Sequence, residues 1–180
     1  MKKIKTFLAK TWYVYLIISI IAFATCVYFI YRHVKAKMPL SHVYVCDNPT
    51  NYSDFDNWVK SLTNWVPSYI IIKDGYVINV FEGGIDEDEF TDKLGSSVSN
   101  NTQLAELPNY SITNLEGARQ SIQEIFKEGT YVLELHWIDC EDCIYQDENF
   151  TDKIYYKFGT DIFYRYYIKS EHNKVVEKYK

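Results

Sequence analysis

The chain has 180 residues, a length that suits one domain with an additional segment. Apolar residues make up 47% and aromatic residues 17%, and this content excludes an intrinsically disordered chain. The net charge is −5, whereas a nucleic-acid-binding protein needs a basic face to neutralise phosphates. We therefore expect a folded protein with no nucleic acid partner.

The charge is distributed unevenly along the chain. Seven of the 19 basic residues lie before residue 38, and the first acidic residue is Asp47. From residue 38 onward there are 12 basic and 24 acidic residues, which leaves that part with a charge of −12. The sequence therefore predicts a short basic head followed by an acidic body.

The basic head contains 20 uncharged residues over 12–31. As a helix this stretch spans about 30 Å, the thickness of a bilayer hydrocarbon core. The alternatives are a buried core helix and a cleaved signal peptide, but the apolar region of a signal peptide is only about 7–15 residues long. We predict an uncleaved transmembrane anchor over 12–31, between a basic N-terminus (1–11) and a tether (32–41).

The basic residues on the two sides of the anchor predict its orientation. The N-terminal side carries more positive charge than the residues that follow the anchor, and positive segments stay in the cytoplasm. The sequence thus predicts a single-pass protein of the cell membrane, in contact with the membrane through 12–31. Residues 1–11 lie in the cytoplasm, and residues 42–180 form an extracytoplasmic domain.

The first part of the body alternates between strand and helix signals. Asp74-Gly75 lies between two β-branched runs and is typical of a tight hairpin turn. Asp86 and Glu89 are spaced to cap a helix at its start. The predicted elements are a strand at 42–46, a helix over 54–64, hairpin strands at 69–72 and 76–81, and a helix after residue 86.

The second part of the body continues in the same mixed pattern. The predicted elements are a long polar loop over 95–112, a helix over 113–126, a central strand at 131–138, a helix over 144–157, a strand at 161–168 and its hairpin partner at 174–179. Residues 42–180 are therefore predicted to form one mixed-sheet α/β (α+β) body.

Two blocks of the body resemble the thioredoxin-like superfamily. The first runs from Trp65 through Pro67 and the Lys73-Asp74-Gly75 turn to Gly83-Gly84, and matches the proline-led antiparallel hairpin of that family. The second is strand 131–138 followed by Cys140-Glu-Asp-Cys143, and matches the family's strand that leads into a Cys-x-x-Cys helix. In the family the cysteine block comes first, whereas here it comes second. The resemblance therefore implies a thioredoxin-like fold that is permuted or incomplete, with Cys140, Cys143 and Pro67 as catalytic residues.

A Cys-x-x-Cys pair at the start of a helix has a defined chemistry. The helix N-terminus stabilises a thiolate on the first cysteine, here Cys140, and Cys143 is close enough to resolve a mixed disulfide. The neighbours Asp139, Glu141 and Asp142 are acidic, and their charge disfavours that thiolate. A disfavoured thiolate makes the pair a weaker oxidant.

Two other interpretations of the cysteines stay open. Cys140 and Cys143 could form a plain structural disulfide. A metal site would need His136 and a fourth ligand such as Cys46 or His172, and a second Cys-x-x-Cys is absent from the sequence. We expect neither a metal nor another cofactor.

The sequence leaves two functions to compare. The resemblance implies a membrane-anchored thiol–disulfide oxidoreductase, of the bacteriocin-accessory type, that assists an exported protein or peptide client. The alternative is a non-enzymatic tethered binding protein of the immunity type, whose acidic body meets a basic partner and whose cysteines form a structural disulfide.

Overall fold

The computed structural model describes residues 2–33, 38–45, 54–100, 102–168 and 172–179, and the chain divides into two compact units, Met1–Lys35 and Ala36–Lys180. The first unit is one long helix, α1 (Lys2–His33). Its described side chains, at positions 12–27, are exposed. In the part of the chain that the structure describes, no helix combines the length and the apolar character needed to cross a membrane.

The second unit is built on a mixed β-sheet, which confirms the predicted mixed α/β class. The strands of the described residues are β1 (Val43–Val45), β2 (Ser68–Lys73), β3 (Tyr76–Glu82), β4 (Ala105–Glu106), β5 (Ser111–Thr113), β6 (Arg119–Ser121), β7 (Thr130–His136) and β8 (Phe163–Tyr167). Strands β5 and β6 form a separate pair, and the other six form one sheet in the order β1-β8-β7-β2-β3-β4. The first three run parallel, and each of the others is antiparallel to its neighbours. Strand β7 is central, as predicted.

Helices cover both faces of this sheet. They are α2 (Asp54–Leu62), α3 (Glu87–Asn100), α4 (Ile122–Ile125), α5 (Glu141–Gln146), α6 (Asp152–Phe158) and α7 (His172–Tyr179), and a π-helical turn at Asp147–Thr151 joins α5 to α6. Helices α3, α6 and α7 pack on one face, and α2 and α4 pack on the other. Neighbouring residues of a strand point to opposite faces of the sheet. The apolar strands therefore contribute side chains to two separate hydrophobic cores, one on each face.

The β2–β3 hairpin confirms the prediction from its turn. Asp74 and Gly75 both have positive φ angles, 49° and 82°, as a two-residue hairpin turn requires. The strands that flank the turn pair antiparallel from Lys73–Tyr76 to Ser68–Glu82. Beyond the hairpin, the Asp86 carboxylate accepts hydrogen bonds from the backbone N–H groups of Asp88 and Glu89, so it caps α3 as predicted.

The predicted helix over 113–126 is wrong for most of its length. Asn114 Oδ1 accepts hydrogen bonds from the N–H groups of Glu116 (3.1 Å) and Ala118 (2.9 Å), and Gly117 has a φ of 84°. These contacts close a turn between β5 and β6, and only α4 remains helical. The asparagine side chain satisfies the amide groups that a helix would have used, and so favours the turn.

The predicted loop over 95–112 is also shorter than expected, because α3 continues to Asn100. Ser97 Oγ donates a hydrogen bond to the carbonyl of Lys93 (2.6 Å), and Ser99 Oγ donates to that of Gly95 (2.9 Å). Ser97 is buried and also accepts from the Asn79 amide of β3. Contact with the sheet thus extends a helix whose sequence alone predicts a loop.

The predicted strand over 174–179 is a helix, α7. Val175 is buried, and Tyr179, four residues later, lies edge-to-face with Tyr167 at 6.3 Å between ring centroids. A spacing of four places both side chains on one face of a helix. The aromatic and β-branched residues suggested a strand, but packing against β8 selects the helix.

A buried network of charged side chains joins strands β7 and β8 to the helical segments that pack on them. Arg165 on β8 contacts the carboxylate of Glu134 on β7 at 2.9 Å and that of Asp147, at the end of α5, at 2.9 Å. The Tyr155 hydroxyl donates to Glu134 at 2.6 Å and accepts from Arg165 at 2.9 Å. Lys178 of α7 adds a contact to Asp147 at 2.6 Å. Two strands and three helical segments therefore share one set of charges.

We predict that this network is a large contributor to stability. Glu134→Gln leaves the buried Arg165 with one carboxylate fewer, and should lower the free energy of unfolding by about 3 kcal/mol. The matched change Glu87→Gln breaks the half-exposed pair with Lys157 (3.0 Å), and should cost less than about 1 kcal/mol. Urea unfolding of the two variants measures both values, and equal losses would contradict the prediction.

Candidate functional site

The register of the sheet brings the two cysteines and the predicted proline together. Ser68, the first residue of β2, lies opposite Leu135 near the end of antiparallel β7. The residues just before β2 therefore lie beside those just after β7. At this place the Sγ atom of Cys140 is 3.7 Å from the carbonyl oxygen of Val66, the residue before Pro67. Two segments that are far apart in the sequence thus form one site.

Hydrogen bonds fix the segment that carries Pro67. The Val66–Pro67 peptide bond is cis, and Pro67 is buried. The Pro67 carbonyl accepts a hydrogen bond from the N–H of Gly83 at 2.8 Å, and Ser68 Oγ donates to the carbonyl of Trp65 at 2.7 Å. These bonds hold the Val66 carbonyl in place, so the thiol of Cys140 faces a fixed acceptor.

The two cysteines have different environments. Cys140 precedes the first turn of α5 and is partly exposed, whereas Cys143 lies inside the helix and is 2% exposed. The N–H of Cys143 donates to Cys140 Sγ at 3.4 Å, and both residues are thiols in this structure. Burial raises the pKa of Cys143, although a hydrogen bond from the backbone of Trp137 works against this. Cys140 is thus the thiol that a partner reaches first.

Acidic residues flank the partly exposed thiol of Cys140 in the chain. Asp139 pairs with Lys174 of α7 at 3.2 Å, and both side chains are about half exposed. Glu141 and Asp142, on the first turn of α5, are exposed, and within the described residues neither forms an ion pair. The local charge around Cys140 is therefore negative, as the sequence predicted.

Gln146 fixes the helix that carries the cysteines. Its side chain is fully buried, accepts a hydrogen bond from the N–H of Ile85 and donates one to the Ile85 carbonyl, each at 2.8 Å. A Cβ atom on Gly84 would lie 3.3 Å from Gln146 Oε1, so this close approach favours glycine there. Gln146 thereby ties α5 to the segment that follows β3.

The metal interpretation gains no support from the described residues, in which no group of three histidine, cysteine or acidic side chains could hold an ion. His136 lies on β7, is 1% exposed and belongs to no such group within the described ranges. His172 begins α7, and Cys46 lies outside the described residues.

His136 is nevertheless unusual, because neither of its ring nitrogens has a hydrogen-bond partner among the described residues. Burial lowers its pKa well below 6.5, and the Arg165 guanidinium and the Lys178 ammonium add to this effect, whereas the Asp147 carboxylate opposes it. Tyr167 lies against the ring at 6.0 Å. The imidazole is therefore held neutral.

Sequence reasoning did not identify the polar and charged residues that hold α5, the helix of the two cysteines, in place. Glu134 lies between two leucines in an apolar strand, and Arg165 lies among aromatic residues in another. A charged residue in a buried strand has to be paired, so this pattern was a usable signal for an ion pair. The partnership of Gln146 with Ile85 had no comparable signal, because it joins a helix to a distant loop.

Comparisons with known proteins give no relative for this chain: no family model, no curated protein and no solved structure matches it. Its candidate site contains a partly exposed thiol, a buried thiol three residues later, and a proline segment that faces the first of them.

We predict that His136 makes stability depend on pH near neutrality. The folded protein holds the imidazole neutral, so the unfolded chain binds more protons below about pH 6.5, and stability falls as the pH decreases. From about pH 7.5 to about pH 5.5 the loss should be about 1.4 kcal/mol. His136→Leu should remove this loss from urea unfolding curves.

The exposed His172 provides the control for this measurement. His172→Leu should keep the full pH dependence of the unmodified chain. The interpretation of His136 would be refuted by a His136→Leu variant whose stability changes with pH as much as that of the control.

Proposed function

We propose that this chain is a membrane-tethered, extracytoplasmic, thioredoxin-like thiol–disulfide protein that acts on an exported protein or peptide. The observation that carries the proposal is the contact of 3.7 Å between the partly exposed Cys140 Sγ and the Val66 carbonyl, with Cys143 buried behind it. An exposed thiol can exchange with a client disulfide, and a buried thiol three residues away can release the client.

The arrangement of elements supports the thioredoxin-like part of the proposal. Strand β7 leads into Cys140 and α5, and Pro67 leads into β2, the Asp74-Gly75 turn, β3 and α3. These are the two blocks that the resemblance describes, and β2 pairs with β7 although the blocks are reversed in sequence order. We therefore favour a permuted fold over an incomplete one.

The proposed exchange needs only the two cysteines and a client disulfide. The Cys140 thiolate attacks one client sulfur, a mixed disulfide forms, and the other client sulfur leaves and takes up a proton. Cys143 then loses its proton and attacks Cys140 Sγ, so that the Cys140–Cys143 disulfide forms and the second client thiol is released. Two electrons and two protons pass to the client, and a dithiol reductant restores the pair. The reverse sequence forms a disulfide in the client.

The site favours the reducing direction of this exchange. Glu141 and Asp142 place negative charge close to Cys140. Burial also raises the pKa of Cys143, which disfavours its thiolate as a leaving group. We expect a reduction potential nearer to the reducing than to the oxidising members of this class.

The membrane tether is the second part of the proposal. Helix α1 contains the 20 uncharged residues of 12–31, and its described side chains there are exposed. The tether rests on the sequence, because 20 consecutive uncharged residues match the thickness of a bilayer hydrocarbon core. The basic residues before the stretch favour a cytoplasmic N-terminus.

We predict that the cysteines have separate roles. Cys140 should react faster with an alkylating agent because Cys143 is buried with a raised pKa. Cys143→Ala should accumulate mixed disulfides with clients, since the resolving thiol is missing. Non-reducing gels of membranes that contain the variant measure these adducts.

Cys140→Ala is the matched control and should form no adducts. If Cys143→Ala also forms none, and the Cys140–Cys143 disulfide has a potential below about −300 mV, the pair is a structural bond. That result would support the alternative of a tethered binding protein.

We further predict the membrane topology. A protease added to intact protoplasts should remove the body and leave α1 in the membrane, because the proposal places residues 42–180 outside the cytoplasm. Immunoblotting of an N-terminal epitope tag measures the protected fragment. Protection of the whole chain, with cleavage only after lysis, would reverse the orientation.

A further inference from the structure

Three residues with exposed apolar side chains lie close to Cys140 in the sequence or through backbone contacts. Trp65, Trp137 and Ile144 are 69%, 38% and 41% exposed. Trp65 precedes Val66, whose carbonyl contacts Cys140 Sγ. The Trp137 carbonyl accepts from the N–H of Cys140 at 3.1 Å, and the N–H of Ile144 donates to the Cys140 carbonyl at 3.0 Å. The backbones of Trp137 and Ile144 are thus hydrogen-bonded to that of Cys140, and Trp65 is next to the residue that contacts its thiol.

Negative charge adjoins these apolar side chains. Asp139, Glu141 and Asp142 flank Cys140 in the sequence, and only Asp139 has an ion-pair partner among the described residues, the half-exposed Lys174. The surface around the thiol therefore combines indole rings with a net negative charge. We call Trp65, Trp137, Ile144, Glu141 and Asp142 the rim of the thiol site.

We propose that the rim selects clients whose cysteine lies in a cationic, apolar peptide segment. This inference rests on the proposed thiol–disulfide function and names its substrate class. Lysine and arginine side chains gain from the carboxylates and from the faces of the tryptophans, and apolar residues gain from burial against the same rings. An acidic segment would be repelled.

The charge of the whole body acts in the same direction. Residues from 38 onward carry −12, so a cationic peptide is attracted before it contacts the site. Complementary charge of this kind raises association rates, and this effect weakens as salt is added. If the total charge of the body alone selected the clients, substitution of one or two residues would change the selection little. If the rim selects them, substitution of Glu141 and Asp142 reduces the selection.

Two model peptides test the selection. They have equal length, the same apolar residues and one cysteine in a mixed disulfide with 2-mercaptoethanol, and lysines flank the cysteine in one and glutamates in the other. Stopped-flow kinetics with the reduced full-length chain in a non-ionic detergent gives a second-order rate constant for each. We expect the lysine peptide to react at least about tenfold faster at low salt, with a smaller ratio at high salt.

The ratio of the two rates is also compared between variants, because a change in the intrinsic reactivity of Cys140 cancels in it. The double change Glu141→Gln, Asp142→Asn should reduce the ratio several-fold. Glu87→Gln, Asp88→Asn removes the same two residue types from the first turn of α3 and should keep it. Trp65→Ala should slow the lysine peptide relative to 2-hydroxyethyl disulfide, a small neutral substrate.

The outcomes separate the two levels of the proposal. No exchange with 2-hydroxyethyl disulfide would overturn the thiol–disulfide function itself. Exchange with that reagent but equal rates for the two peptides would overturn only the client selection. A ratio that stays unchanged in the Glu141, Asp142 variant would also overturn it, because the rim would then play no part.

Discussion

A guanidinium without access to water has to be neutralised by fixed partners, and Arg165 meets this requirement with Glu134 and Asp147. Glu134 lies on the strand that leads to the cysteines, and Asp147 ends the helix that carries them. The helix therefore cannot shift along the sheet without separating buried charges. A π-helical turn begins at Asp147, the residue that makes this contact. Such wider turns are frequent at functional sites.

The ion pair fixes the end of α5, and two other contacts fix what surrounds its beginning. Gln146 joins the helix to the residues after β3, and the pairing of β2 with β7 brings the Val66 carbonyl to Cys140. The thiol pair is thus held by polar contacts at several points. Preorganisation of this kind suits a site in which two sulfur atoms must meet repeatedly in the same geometry.

The asymmetry of the two cysteines follows from their places in the helix. Cys140 comes before the first turn and stays partly exposed, whereas Cys143 lies one turn later and faces the core. The same asymmetry is what a nucleophile and a resolving thiol need. Because no relative supplies a function, this geometry and the exposed rim around it are the basis of the proposed activity and of its client class.

The sequence by itself determined the elements whose causes are local. Asp74-Gly75 specified the hairpin because its positive φ angles belong to the turn alone, and apolar continuity specified β7 as a central strand. The spacing of Phe55 and Val59 likewise predicted α2, and the Cys-x-x-Cys pair was visible as a motif.

Only the tertiary structure decided the elements that depend on distant partners. The segment around Asn114 forms a hairpin turn, because the Asn114 side chain accepts hydrogen bonds from backbone N–H groups of the turn. The last described segment forms helix α7, which buries Val175 in the core. The meeting of Val66 with Cys140 was likewise undetermined, because strand order depends on long-range pairing that local patterns leave open. The difference in burial between Cys140 and Cys143 has the same origin, because it depends on which distant parts of the chain cover each sulfur atom.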